Sequence, residues 1–219
     1  MTDRPIIFSA PMVRALLDGR KTQTRRLIPG APTTAGWQCD PDHTAPSRCR
    51  FVADGGTPSL PCIVRYAVGD RLYVRENIER ANGEAVGFRA DGSWLPNTPW
   101  RWERAMLPSI HMPREFSRLT LIVEDVKVER LQVISEHDAR AEGAKREPIG
   151  VPPGCTEAFQ WDHGQDTAPD YVGFGSAQSS FRHLWRSLHG TASWDANPFV
   201  VALTFRVVRK NIDEVSEAQ

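Results

Sequence analysis

The chain holds 219 residues, and its 27 basic side chains balance 27 acidic ones, leaving no net charge with histidine neutral. That balance argues against a protein coated in positive charge for non-specific nucleic-acid binding, while leaving room for a local basic patch. Hydrophobic residues make up 40% and charged residues 25%, no apolar run reaches the roughly 18 residues of a membrane span, and the start carries no signal-peptide pattern. The expectation is a soluble, cytoplasmic protein with one domain over residues 1–210, a tail at 211–219 and no membrane partner.

SAPMVRALLDG (9–19) predicts a short helix. Ser9 is placed to cap its start, Met12, Val13, Leu16 and Leu17 form an apolar stripe at helical spacing, and Gly19 supplies the left-handed stop. Arg20, Lys21, Arg25 and Arg26 follow at once, interleaved with the hydroxyls of Thr22 and Thr24. The negative end of the helix dipole favours the first two cations. Beyond that, the segment is either a solvated loop or a surface facing something anionic. Residues 29–62, rich in Pro, Gly, Thr and Asp, read as a long irregular insertion.

VGDRLYVRENIE (68–79) predicts a turn at Gly69-Asp70 and then a strand whose period of two puts Leu72, Val74 and Glu76 on one inward face. A carboxylate there has to be paired, hydrogen-bonded or protonated. Glu76 is either an acceptor for the exocyclic amino group of a base or half of a buried ion pair. ANGEAVGFRADGSW (81–94) predicts a hairpin with turn signals at Asn82-Gly83 and Asp91-Gly92, followed by an irregular stretch to Pro113. Trp94, Trp100 and Trp102 are either a hydrophobic plug under a loop or a stacking platform for bases.

SRLTLIVEDVKVERLQ (117–132) is the clearest strand, alternating through Leu119, Leu121 and Val123 and resuming at Val126 and Val128 after a bulge near Glu124-Asp125. A short helix with a capping box from Ser135 to Asp138 ends at Gly143, and residues 145–175 form a second loose insertion. SSFRHLWRSLHG (179–190) is an amphipathic helix burying Phe181, Leu184, Trp185 and Leu188. NPFVVALTFRVVR (197–209) closes the chain as a strand. This order predicts an α+β fold, a mixed β-barrel with peripheral helices and long loop insertions. Cys39, His43, Cys49 and Cys62 place four soft ligands in the first insertion, where zinc would fold a segment poor in apolar residues. Their spacing matches no regular CxxC knuckle, so no cofactor is expected, with zinc on this set as the alternative.

FSAPMVRALLDGRKTQTRR, VGDRLYVRE, PSIHMPREFSRLTLIVEDVKVERLQVISEHDARAEG and LWRSLHG with SWDANPFVVALTFR together resemble the ASCH-domain proteins of the PUA-like superfamily. The likeness is strongest to a group common in bacteriophages and prophages, often labelled phage morphogenetic proteins, and it leaves out both insertions. It implies a partly open β-barrel with a cleft lined by the Gly-Arg-Lys-Thr segment, and RNA, DNA or a modified nucleoside as partner. For a phage protein it implies residence in the host cytoplasm. A small branch of the family hydrolyses the amide of N4-acetylcytidine with a lysine, a threonine and a glutamate, which fall here on Lys21, Thr24 and Glu142 as the expected catalytic residues. The substrate contacts expected around them are Ser9, Arg20, Arg25, Arg26, Arg75, Glu76, His111 and Arg114.

A threonine hydroxyl attacks an amide only when a base takes its proton. A lysine is such a base only once burial or adjacent cations pull its pKa below about 10.4, and Arg20, Arg25 and Arg26 are the candidate cations. A regular strand would turn Lys21 and Thr24 to opposite faces, so a shared cleft requires the backbone to turn between them. The competing expectation is a non-catalytic RNA- or DNA-binding or phage-assembly accessory protein. In it Arg25, Arg26, Arg75 and Arg114 contact phosphate while a tryptophan stacks a base.

Overall fold

The alternation centred on Leu119, Leu121 and Val123 builds a long strand that pairs antiparallel, along its whole length, with the strand closing the chain. In the computed structural model, which describes residues 2–33, 36–40, 50–56, 59–61, 63–81, 84–149, 158–164 and 174–215, these two strands form the middle of an α+β architecture. The chain begins with β1 (Asp3–Ile7), α1 (Ala10–Leu17) and β2 (Gln23–Leu27), then β3 (Trp37–Asp40), β4 (Arg50–Ala53) and β5 (Ser59–Pro61). It continues through β6 (Arg71–Arg75), β7 (Ile78–Ala81), β8 (Ala85–Phe88), β9 (Trp94–Pro99), β10 (Met106–Leu107) and β11 (Thr120–Arg130). The last part holds α2 (Glu136–Ala141), β12 (Lys145–Ile149), β13 (Ala158–Asp162), α3 (Ala177–His189), α4 (Thr191–Asp195) and β14 (Phe199–Val208).

The main sheet has five strands in the order β1-β6-β11-β14-β2. β1 runs parallel to β6, and the other neighbours are antiparallel. The register of β11 shifts between Val123 and Asp125, at the bulge the sequence implies. β14 reads FVVAL because both of its faces are covered. Phe199, Val201, Leu203 and Phe205 join the core that holds Phe8, Val13, Leu16, Leu72 and Leu121. Val200 joins a second core with Leu131, Ala139, Phe181 and Trp185 from the helices. Among the described residues no backbone pairing joins the sheet's edges, β1 and β2; Arg26 on β2 reaches across by donating to the Ile7 carbonyl at 2.7 Å.

Several local expectations are corrected. The first insertion is not wholly irregular: β3, β4 and β5 form a three-stranded sheet, and Phe51 docks it by packing on Phe199 with ring centroids 4.7 Å apart. The second contains the β12–β13 hairpin. Both insertions have few apolar residues, yet a few suffice as anchors: Trp37, Cys39 and Phe51 pack on the first core and Trp161 on the second. The expected hairpin of residues 81–94 is part of a meander, order β10-β7-β8-β9, that also organises the stretch after Trp94; Asn82-Gly83 lies outside the described residues. Trp100 and Trp102 pack with Phe116 in a third cluster, whereas Trp94 is 52% exposed. Ser9 occupies the cap position of α1 without a side-chain cap bond, and a proline in the first turn removes one N–H that would need it. Leu188 is 48% exposed, because α3 has passed the edge of its core by then. Residues 211–215 dock rather than trail: Ile212 is buried and the Asn211 amide donates to the carbonyls of Arg114, Glu115 and Ser117.

Gly87 of β8 faces Ala81 so closely that an added Cβ would lie 2.6 Å from the Ala81 Cβ. Gly87→Ala is expected to cost about 1–3 kcal/mol, seen in urea denaturation as a lower midpoint with unchanged slope.

Candidate functional site

The basic segment after α1 is built on two backbone devices. Gly19, at φ 72°, ends the helix, and the N–H groups of Arg20 and Lys21 both donate to the Ala15 carbonyl at 3.0 Å. Lys21 then bridges Glu142, the residue that ends α2. At Thr22 the chain changes partner: its N–H donates to Ala141 at 2.9 Å while its carbonyl accepts from Phe205 of β14. Regular strand geometry starts only at Gln23. The alternation that would separate Lys21 from Thr24 is therefore interrupted. Gly143, at φ 107°, makes room for this crossing, since a Cβ there would stand 3.0 Å from the Ala15 Cβ and 3.2 Å from the Lys21 Cβ.

The Lys21 side chain has 0% exposure. Its Nζ donates at 2.8 Å to the Glu142 carbonyl and at 2.8 Å to Glu142 Oε2. Burial pulls its pKa below the usual lysine value; Glu142 opposes this, and the charges of Arg26 and Arg25 reinforce it. The other oxygen of Glu142 accepts from Arg25 Nη1 at 3.2 Å. Arg25 Nη2 donates to Glu129 at 2.7 Å and Asp138 at 3.1 Å, and its Nη1 also reaches Gln23 at 2.6 Å. Lys127 pairs with the second oxygen of Glu129 at 2.5 Å. Three carboxylates and three cations are thus interlocked. Burial raises the pKa of Asp138, but the Arg25 charge and hydrogen bonds from His137, Ser135 and Arg25 overcome it and hold the carboxyl below its ordinary value.

β2 sorts its side chains by register. Arg25 pairs with Ala202 on the helix side, while Thr24 opposite Leu203 and Arg26 opposite Val201 face the core that contains Phe8. The Phe8 ring lies 5.6 Å from Lys21 Nζ and 5.0 Å from the Arg26 guanidinium. Beside Arg26 is a hollow of about 170 Å3 walled by Ile63, Arg65, Tyr66 and Val201.

The structure thus joins Lys21 and Arg25 to the two oxygens of Glu142, attaches Arg20 through the Gly143 carbonyl, sets Arg26 against Phe8, and puts Thr24 on the same face of β2 as Arg26. Of the remaining expected contacts, Arg75, Glu76 and Arg114 are engaged elsewhere. Arg75 donates to the Met112 carbonyl at 2.8 Å. Glu76 is buried and receives Arg118 on both oxygens, at 2.8 and 2.9 Å, with burial raising its pKa against that partner. Arg114 pairs with Asp3 and Asp213, both at 2.6 Å. His111 is exposed on a turn, and Ser9 adjoins Phe8 but makes no side-chain cap bond. His43, Cys49 and Cys62 lie outside the described residues. Burial and then Asp40 push the Cys39 thiol up to about 11, and no metal-sized group of three ligands occurs among the described residues.

Sequence reasoning missed Glu129, Asp138 as an ion-pair partner, Arg118 and His163. His163, buried in the second insertion, stands 2.6 Å from Ser180 Oγ and 3.3 Å from the Ala139 carbonyl. That carbonyl only accepts, so Nε2 carries the proton and the neutral Nδ1 accepts from Ser180. Burial, then the charge of Lys21, pushes its pKa down to about 3. No protein-family model matches the chain, and no curated protein or solved structure matches it. No helix among the described residues is long and apolar enough to cross a membrane.

Breaking one side of the buried pair leaves an uncompensated charge, so Lys21→Met and Glu142→Gln are each expected to cost about 3–5 kcal/mol. The double variant should lose less than the sum, as a denaturation cycle would measure. His163 sets a pH dependence of its own. The unfolded chain binds its proton near the ordinary histidine value of 6.5, whereas the folded protein does so only near 3. The histidine contribution is therefore complete above pH 6.5 and declines by about 1.4 kcal/mol per pH unit as the pH falls toward 3. Thermal melts of wild type and His163→Gln between pH 7 and 4.5 should show that slope flattened in the variant.

Proposed function

We propose that the protein is an ASCH-type nucleoside-recognition protein that takes a modified nucleobase beside Phe8 and, as an enzyme, hydrolyses the amide of an N4-acylated cytosine. One observation carries this reading: a lysine with no solvent exposure, its pKa lowered by burial, 2.8 Å from a carboxylate. Its ammonium also lies close to Phe8, which belongs to the core that Thr24 faces. Titratable pairs shifted by burial and a charged partner gather at functional sites. In this reading the five-stranded sheet, its edges linked by Arg26, is the partly open PUA-like barrel. The hollow of about 170 Å3 at Arg26 and Tyr66 receives the pyrimidine ring.

The chemistry balances as an acyl transfer to Thr24. Neutral Lys21 takes the Thr24 hydroxyl proton as Oγ bonds to the acyl carbon, and returns it to N4 as the C–N bond breaks and the amino-cytosine leaves. Water then attacks the acyl-threonine, giving its proton to Lys21, which passes it to the departing Oγ. Amide and water become amine and carboxylic acid, and Glu142 holds the Lys21 nitrogen in place throughout.

Binding without turnover is a second reading, favoured by the Glu142 carbonyl on the same Nζ, which makes Lys21 a cross-link between the α1–β2 turn and the end of α2. Incubation with N4-acetylcytidine, followed by chromatography, separates the two. Turnover by wild type, reduced at least about 100-fold in Thr24→Val and Lys21→Met, is the expected outcome, with circular dichroism showing that Thr24→Val folds normally. Binding with no turnover selects the second reading, and neither binding nor turnover removes both.

A further inference from the structure

The arginines expected to meet phosphate already have partners within the chain: Arg25 with three carboxylates, Arg26 and Arg75 with backbone carbonyls, Arg114 with Asp3 and Asp213. Positive charge without acidic partners among the described residues lies instead on the outer face of α3. Ser179, Arg182, Arg186 and Ser187 recur there at helical spacing, opposite the buried stripe of Phe181, Leu184 and Trp185. A polar helix face is ordinarily convex and solvated. This one is walled by Phe174 on one side and Thr191 at the start of α4 on the other, and encloses a hollow of about 500 Å3.

No carboxylate lines that hollow among the described residues. Arg186 is half-buried in its wall, and its side chain makes no hydrogen bond, ion pair or ring contact among the described residues. Arg182 is exposed, its guanidinium 5.8 Å from the Trp194 ring. The Ser179 hydroxyl accepts from Ser176 at 2.9 Å, so its own hydrogen is free to donate into the hollow. Two guanidinium forks one helical turn apart, with hydroxyl donors beside them and no competing anion among the described residues, match the oxygens of a phosphate group.

We infer that this hollow is a phosphate-binding site, taking either the backbone phosphate of a single-stranded nucleic acid or a free phosphate group. It does not depend on the Lys21 chemistry. Phe181, which the Arg25 guanidinium approaches to 5.9 Å, stands between the two places on the opposite face of α3.

The test compares wild type with Arg182→Gln/Arg186→Gln, and with Arg101→Gln/Arg206→Gln, which removes the same charge from exposed ion pairs elsewhere. Fluorescence anisotropy with a short labelled single-stranded RNA reads one source, and thermal-shift titration with inorganic phosphate reads the other. The α3 variant should bind at least about tenfold more weakly, and the salt slope of RNA binding should fall by roughly 0.7 for each phosphate that the variant no longer neutralises. The control should match wild type, and all three proteins should melt alike without ligand. RNA binding abolished in the α3 variant assigns a polymer backbone; a phosphate shift abolished there without RNA binding assigns a free phosphate. No binding of either probe by wild type, unchanged binding by the α3 variant, or an equal loss in the control overturns the site.

Discussion

The ammonium of Lys21, held in the interior by Glu142, is the constraint around which the junction of α1, β2 and α2 is arranged. Removing two charges from water costs several kcal/mol for each, so such a pair survives only where close geometry and further hydrogen bonds offset that cost. The surrounding backbone fixes that geometry. Ala15 accepts two N–H groups, Thr22 divides its bonds between α2 and β14, and Gly143 has no side chain where Lys21 passes. Arg25 extends the network to Glu129 on β11, so one set of ion pairs ties the edge strand of the sheet to its centre and to a helix end.

That arrangement also decides what kind of surface the basic segment makes. Written out, Arg20 to Arg26 reads as a patch aimed at an anion. Folded, it meets its anions within the chain. Arg25 and the three carboxylates around it, with Lys21 and Lys127, come to no net charge. Arg26 is the cation left over, resting on Phe8 and the Ile7 carbonyl. Among the described residues, two further guanidinium groups without a carboxylate partner, those of Arg182 and Arg186 on α3, line a hollow.

Much of the fold was legible because it is written locally. The stripe of α1 with its glycine stop, the alternation and bulge of β11, the capping bond from Asp138 N–H to Ser135 at 3.0 Å, and the apolar face of α3 all depend on residues a few positions apart. What could not be read depends on distance in sequence. Arg25 finds Glu129 at a separation of 104 residues and Glu142 at 117, and nothing in QTRRL distinguishes an arginine that will be buried from one that will be solvated. Asp138 announced itself as a cap and concealed its second role. β1 was unreadable for a related reason: DRPII has too few residues to show a period, and its pairing partner β6 begins at Arg71. The insertions misled through composition, since strands such as β4 need only one well-placed Phe51 to dock.

The same network sets the terms on which Lys21 can give up a proton. Burial disfavours the ammonium, Glu142 favours it, and burial wins in direction. Deprotonation would ordinarily leave the carboxylates one positive charge short. Here Arg25 keeps its hold on Glu142 Oε1, and Arg26, 5.0 Å from the Phe8 ring that Lys21 also approaches, stands as the nearby surplus cation. A lone buried Lys–Glu pair would resist losing the proton, because the remaining carboxylate would be stranded in a low-dielectric interior. A pair flanked by two guanidinium groups is not stranded. The neutral amine needed by a general base is therefore compatible with the fold because of Arg25 and Arg26, and the work of Arg25 in a catalytic site would be to sustain that state rather than to touch the substrate, while Arg26, which also walls the hollow beside it, would serve both ends.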